Sequence, residues 1–435
     1  MGDNKGIDMG GILRRRMMSQ TSSAESKYIT FQDDAVFSIL MEKGVSSDGI
    51  GITKEDAAAV ATIYDWFTDN TDIAYFRELK YFTGLSVVGG TNYNKEAEKA
   101  GFYGCSNLVA VTLPESIKTI GTNAFRNCYS LIECNIPKSV TAIYQRAFSY
   151  VPAPLILDCQ NLLKLYDDGS QESGVNFIES GIEEIISIGK VNKIFPGWDW
   201  QGTQFGTFSR CKNLKKANLV GVDVIGKYNF RECERLQELI VSAREIGLTA
   251  FARCSALEKL TFTNPVEKIE QYAFGSSGTF GKGLRIPMAA GTSMDVGAFD
   301  KTAVRRILDL GELSMTLDGF WNNTTDLAGA FSRNVNLELI IFPPTMTRIG
   351  SYTLACYNGV LNTIVCKAAT PPTLGTAALG GSSTRPTLTY IYVPDESVSA
   401  YKSASGWSDY ASLIRGISQF ATEQPEVYSE INQYL

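Results

Sequence analysis

Nine cysteines and no histidine set the limits on what this chain can do chemically. Without imidazole it lacks the commonest general base and the commonest metal ligand, and no Ser-His-Asp or Cys-His arrangement can form. Five cysteines obey one rule: Cys105, Cys128, Cys211, Cys233 and Cys254 each fall three residues after a phenylalanine and three before a leucine. Residues at equivalent places in neighbouring repeats would form a ladder with no fixed partner, which argues against a disulfide framework. No C-x₂₋₄-C pair suggests zinc. The expectation is therefore a small buried hydrophobe used repeatedly, at which serine would be costly to bury. Cys134, Cys159, Cys356 and Cys366 are scattered and are expected to be buried too. The acidic pairs Asp167-Asp168 and Glu183-Glu184 suit a solvated face, and there is no phosphate loop, G-x-G-x-x-G or G-x-S-x-G. The chain reads as a non-enzyme with no cofactor and no metal.

Binding chemistry has better candidates. In "FPGWDWQGTQFGTF" Trp198 and Trp200 alternate around Asp199, which on a strand places both rings on one face. With Tyr166 upstream and Trp321 in "DGFWNNTT", they are the candidate ligand-binding residues, for exposed rings suit a sugar or a protein partner. The alternative is that the rings fill an oversized repeat. Near the start, "GGILRRRMMSQTSS" offers Leu13, Arg14, Arg15 and Arg16 as docking candidates. The arginines are followed by no apolar segment of about 7–15 residues, so a secretory signal is not expected.

These residues sit in a repeat. The frame A-F-x-x-C-x-x-L-x-x-(I/V)-x-(L/I)-P-x-x-(V/I)-x-x-I-G anchors at Phe102, Phe125, Phe148, Phe208, Phe230, Phe251, Phe274, Phe299 and Phe331, and at Leu354 in a degenerate copy. Regular spacings are 21 to 25 residues; gaps of 60 and 32, after Phe148 and Phe299, mark insertions or decayed repeats. One short strand per repeat, with its apolar residues inward, cannot bury both faces, so only stacking gives a core. The fold class expected is a repeat solenoid of stacked coils, each of about 21–25 residues, with a parallel sheet and a small helical cap at the start. A net charge of −6 argues against nucleic acid as partner, and no run approaches the roughly 18 apolar residues of a membrane span.

The frame resembles the BspA-like leucine-rich repeats of bacterial surface proteins, in "GCSNLVAVTLPESIKTIGTNAF", "RECERLQELIVSAREIGLTAF" and "IIFPPTMTRIGSYTLACYN". That resemblance implies an α/β-type leucine-rich repeat solenoid and a role in adhesion and binding, with no common reaction. It divides the chain into an extended leader (1–27), a helical cap (28–100), the solenoid (101–389) with insertions at 149–207 and 300–330, a terminal repeat cap (390–418) and a tail (419–435). Three helices are expected in the first cap, in "ITFQDDAVFSILMEKG", "GITKEDAAAVATI" and "IAYFRELKYFTGL". Between the first two, "VSSDGIGITKED" resembles a degenerate EF-hand-like calcium loop. Its ligand places hold Val45, Ser47, Gly49 and Asp56, with Ile50 where glycine is needed, so calcium is not expected.

Two functional expectations follow. One is a phage virion component, a tail or capsid appendage carrying a borrowed solenoid, whose leader docks against neighbouring virion proteins. The other is an exported adhesin on the bacterial cell surface. In either, the partners are proteins of an assembly or a host-surface protein or glycan.

Overall fold

The computed structural model describes residues 26–90, 100–165, 175–198, 204–321, 327–356, 359–380 and 388–435. They form a parallel β-solenoid. The coil anchored by Phe230 shows its parts: Cys233 and Leu236, a first strand Glu238–Val241, a second strand Glu245–Ile246, and a corner leading into Phe251. Along the first strand Leu239 and Val241 are buried while Glu238 and Ile240 are half-buried, the alternation of a sheet with one wet face.

First strands stack in register, with Leu239 opposite Ala217 on one side and Leu260 on the other. Second strands stack likewise, and eight of them form one continuous parallel sheet from Lys193–Ile194 to Thr373–Leu374. The third side is the corner. There the N–H of each anchoring phenylalanine donates to the next coil, as from Phe125 to the Ala147 carbonyl at 2.9 Å and from Phe230 to that of Ala250 at 2.7 Å. The rings form a ladder, with neighbouring centroids 4.8–5.8 Å apart and planes within 23° of parallel from Phe67 to Phe331. That separation is close to the sheet spacing of about 4.8 Å, so every coil adds one ring.

Phe67 and Phe177 are rungs that the repeat frame does not mark. Phe177 lies within the 60-residue gap, so residues 149–207 hold a further coil. The frame misses it because Asn176 replaces the alanine and Ser180 the cysteine; Asn176 is buried and donates to the Ile143 and Tyr144 carbonyls instead.

The N-terminal cap departs from three helices. Asp34–Glu42 and Lys54–Ala59 are helical, the second closed by a capping box between Thr53 and Asp56. "IAYFRELKYFTGL" instead forms the strand Tyr75–Phe76 and a 3₁₀ turn, Arg77–Tyr81, because Tyr75–Phe76 pairs with Ala110–Val111 and opens the first-strand row. Asp33 ties the pieces together: one carboxylate oxygen caps the first helix at the Ala35 N–H (2.9 Å), and the other accepts from Ala74 (2.6 Å) and Tyr75 (3.0 Å). At the far end Tyr401 and Trp407 fill the last coil, and the Trp407 indole N–H donates to the Pro372 carbonyl at 2.7 Å.

The C-terminal residues are a strap. The short helices Phe420–Glu423 and Pro425–Ile431 run back across the outer face of the first-strand row, over Arg306–Asp309, Leu339–Phe342, Thr363–Cys366 and Tyr390–Val393. Phe420 and Ile431 cover Leu308, Leu339, Ile341, Val365 and Tyr392. Gln424 bonds to Thr363, and Arg306 pairs with Glu430. This explains the run Leu339–Phe342, buried at all four positions, since a sheet covered on both faces needs no alternation. Upstream the same outer face is open and carries Glu184, Lys216, Glu238 and Lys259 side by side, alternating in charge across the strands. No helix among the described residues is long and apolar enough to cross a membrane.

Candidate functional site

The cysteine ladder is structural, though not for the reason the sequence suggests. Each Sγ points at the carbonyl oxygen of the anchoring phenylalanine one coil back: Cys105 at Phe67, Cys128 at Phe102, Cys211 at Phe177, Cys233 at Phe208 and Cys254 at Phe230, at 2.9–3.3 Å. That carbonyl already accepts an N–H in its own coil, as Phe208 does from Cys211, so the thiol takes its second lone pair. Ser277 and Asn334 hold the same place and make the same bond, to Phe251 at 2.7 Å and to Phe299 at 2.9 Å. The position therefore asks for a small donor, which corrects the expectation that serine is costly there. Cys233→Ser should change stability by less than about 1 kcal/mol, whereas Cys233→Val, bulkier and unable to donate, should cost about 1–3 kcal/mol; urea denaturation of the two variants checks this. Burial pushes the thiols of Cys211 and Cys254 up to about 12, so neither is a thiolate at neutral pH.

In the calcium-like loop, Asp48 and Asp56 have protein partners. Asp48 accepts from the Lys27 ammonium (2.9 Å), the Tyr28 hydroxyl (2.7 Å) and the Ile50 N–H (2.9 Å), while Asp56 is engaged in the capping box with Thr53. Among the described residues no cluster of three or more metal-binding side chains forms.

Two antiparallel hairpins break the coil pattern. One pairs Pro196–Trp198 with Gln204–Gly206; the other pairs Phe320–Trp321 with Leu327–Ala328. Both leave the solenoid at the same corner, between a second strand (Lys193–Ile194, Met315–Thr316) and the next anchoring phenylalanine. Their registers match. Trp198 is in register with Gln204 and Trp321 with Leu327, and in each case five residues of sequence separate the two partners. Each chain returns through a glycine, eight residues past the tryptophan, into the same phrase: "GTFSR" at 206–210 and "GAFSR" at 329–333. The glycine is required, since a Cβ on Gly206 would lie 2.0 Å from the Asn229 Cα and one on Gly329 2.1 Å from the Tyr352 carbonyl oxygen. The serine closes the return by accepting the glycine N–H, Ser209 from Gly206 at 2.8 Å and Ser332 from Gly329 at 2.9 Å.

Of the candidate residues, Trp198 and Trp321 thus occupy equivalent places on two copies of one device. Trp200, Tyr166, Leu13, Arg14, Arg15 and Arg16 lie outside the described residues. Sequence reasoning missed Phe195 and Phe320 at the hairpin roots, 40% and 43% exposed. The repeated G-x-F-S-R was the signal that could have found the pair. Under the first hairpin, Phe205 is buried against Val175 and Ile178 and lies 4.8 Å beneath the Arg210 guanidinium. That ring does fill space beside the coil.

The second hairpin is held at its root by Asp318, which accepts from the Ser351 N–H (2.7 Å) and hydroxyl (2.8 Å) and pairs with Arg348. The Ser351 bonds first, then Arg348, draw its pKa down to about 2. A depressed carboxylate stabilises the fold fully above its ordinary value of about 3.9, and that stability is lost as the pH falls through the depressed value. The melting-temperature gap between the wild type and Asp318→Asn should therefore narrow as the pH is lowered from about 5 to about 2.

A stack of coils with two short parallel strands each, rather than the one expected, a leucine-filled interior and a phenylalanine ladder is a leucine-rich repeat solenoid. Residues 83–166 and 201–303 match the BspA type leucine rich repeat region, in six copies. Among solved structures, it is similar to a leucine-rich repeat protein from Bacteroides ovatus, with 17% identity over 78% of this chain and 65% of that one and a TM-score of 0.38. A leucine rich cell surface protein from Faecalibacterium prausnitzii shows 18% identity over 68% and 69%, with a TM-score of 0.28. The pneumococcal vaccine antigen PcpA shows 14% over 71% and 66%, with a TM-score of 0.29. The chain spans about two thirds of the length of each of these proteins. No curated protein matches it.

Proposed function

We propose that this is a non-enzymatic binding protein of the bacterial cell surface, an adhesin, whose contacts are made through the hairpins that carry Trp198 and Trp321. One observation carries the reading: a solenoid built of BspA-type repeats holds the same hairpin twice, at the same corner, with a tryptophan in the same register. Packing alone asks for neither hairpin, since the intervening coils close the same corner with a few residues. Large aromatic residues on a rigid scaffold supply contact area at low entropy cost, which is what a binding surface needs. The virion role rests on the leader, which lies outside the described residues, whereas the surface reading rests on the repeats themselves and is the one adopted.

The test is the labelled full chain applied to an array of immobilised host matrix proteins and surface glycans. Binding to at least one class is expected, and Trp198→Ala with Trp321→Ala should reduce it at least tenfold while leaving the melting temperature unchanged. Binding that ignores both substitutions would move the site elsewhere on the solenoid; no binding to any class would remove the reading.

A further inference from the structure

We infer that the open part of the first-strand face, from Glu184 to Lys259, is a docking track for an α-helix of a partner protein. That helix lies along the solenoid axis and carries acid and base by turns, one charge for each coil it crosses. The inference concerns a different side of the coils from the hairpins and does not depend on them.

The strap shows what this face accepts. Phe420 stacks on Tyr392, Gln424 bonds to Thr363 and Glu430 pairs with Arg306. Those partners belong to a run of four neighbouring strands, Tyr390–Val393, Thr363–Cys366, Leu339–Phe342 and Arg306–Asp309. The ten residues from Phe420 to Glu430 therefore cross three coil steps. An α-helix rises 1.5 Å per residue, so a step of about 4.8 Å takes about 3.2 residues, close to one turn. Helix and sheet share a period, and each turn of a helix laid on this face meets a new coil.

Upstream the same track is open and its code is electrostatic. Glu184, Lys216, Glu238 and Lys259 stand in one row across four strands, exposed or half-buried, alternating in sign over about 14 Å. Lys259 pairs with Glu238, so these charges hold fixed places. On the same strands Ile186, 41% exposed, and the half-buried Ile240 offer apolar footholds beside the two acids. A polyanion or a polycation meets repulsion at every second coil. A strand has no edge to join, because Lys216–Leu219 and Glu238–Val241 are paired on both sides. A second copy with its coils in reverse order would match the row, but it would set Glu183 of each copy against Glu258 of the other. A helix with charges in the order Glu, Lys, Glu, Lys, read from the Lys259 end and spaced three or four residues apart, answers every site. Its own pairs at that spacing also stabilise it.

The experiment is fluorescence anisotropy of the full chain with two labelled synthetic peptides of about 18 residues, long enough to be helical alone. Both have the same composition, with leucines on the docking face; one carries its charges in the order Glu-Lys-Glu-Lys, the other Glu-Glu-Lys-Lys. The wild type should prefer the first by about tenfold, since two of four contacts turn from attraction to repulsion in the second. Exchanging one neighbouring pair, Lys216→Glu with Glu238→Lys, keeps the net charge and should invert the preference, which a misfolded variant could not do. Added salt should weaken the preferred complex, and Trp198→Ala with Trp321→Ala should leave it unchanged. Equal binding of both peptides, binding of neither, or a preference that the exchange does not invert would overturn the track. Gel filtration of the chain alone, showing a dimer that the exchange abolishes, would give the face to a second copy and overturn the helix.

Discussion

Phe125→Ala should lower the stability of the solenoid by about 3–5 kcal/mol, the usual cost of truncating a buried phenylalanine. Phe125 is fully buried and stacks between Phe102 and Phe148, 5.3 Å from each. A gap there removes contacts on both sides at once. The coils above and below cannot collapse into it, because the backbone ladder at the same corner fixes their spacing, with Phe125 N–H on the Ala147 carbonyl and Phe102 N–H on that of Ala124. Since each coil touches only its neighbours, the loss should be local at first: hydrogen exchange should accelerate at Ile120 and Ile143 well before it does at Ile340. Urea denaturation gives the total. A change below about 1 kcal/mol would mean that the ladder is not what holds the coils together.

The second large effect is expected at the strap. Phe420 is fully buried and stacks on Tyr392 with centroids 4.4 Å apart, and Tyr392 donates its hydroxyl to Glu423 at 2.8 Å. Phe420→Asp replaces that ring with a charge among Leu339, Ile341, Val365 and Tyr392. Losing the ring alone is worth about 3–5 kcal/mol, and the charge adds its own desolvation cost, more than the exposed pairs Arg306–Glu430 and Arg415–Glu423 can offset. The strap should detach, so that limited proteolysis trims the chain after about residue 417 and a hydrophobic dye binds the uncovered Leu308, Leu339, Ile341 and Val365. The coils beneath keep their inward core and should stay folded, with the freed face tending to associate. Full resistance to protease in the variant would show that the helices are held by something other than this apolar contact.

Much of the fold was legible because a solenoid repeats its packing problem. Over its regular stretches the same inward leucines, the same turn and the same ring recur every 21 to 25 residues, and a period needs no knowledge of distant contacts to be seen. Where a coil solved the problem with other residues, as at Asn176-Phe177 and Ser180, the period faded although the ring stayed in the ladder. The third cap helix failed for a different reason: Tyr75–Phe76 takes its strand conformation from Ala110–Val111, more than thirty residues away.

The candidate site was half legible. Trp198 and Trp321 stood out as residue types in irregular stretches, but nothing local said that the two stretches were one device. Equivalence is a property of register, of Trp198 against Gln204 and Trp321 against Leu327, and of the sheet that sets the hairpins five coils apart on one side.

The amino-acid sequence by itself determined the coil: its length, its inward residues, its buried thiols, and the absence of imidazole chemistry. Those follow from short-range pattern, because each coil meets only the coil before and the coil after. The tertiary structure alone decided which outer surfaces are open and which are covered. Whether the run Leu339–Phe342 faces water or a strap depends on residues about eighty positions later folding back over it. Whether two tryptophans more than a hundred residues apart share an edge depends on how many coils lie between them, and that is arithmetic only the stacked sheet performs.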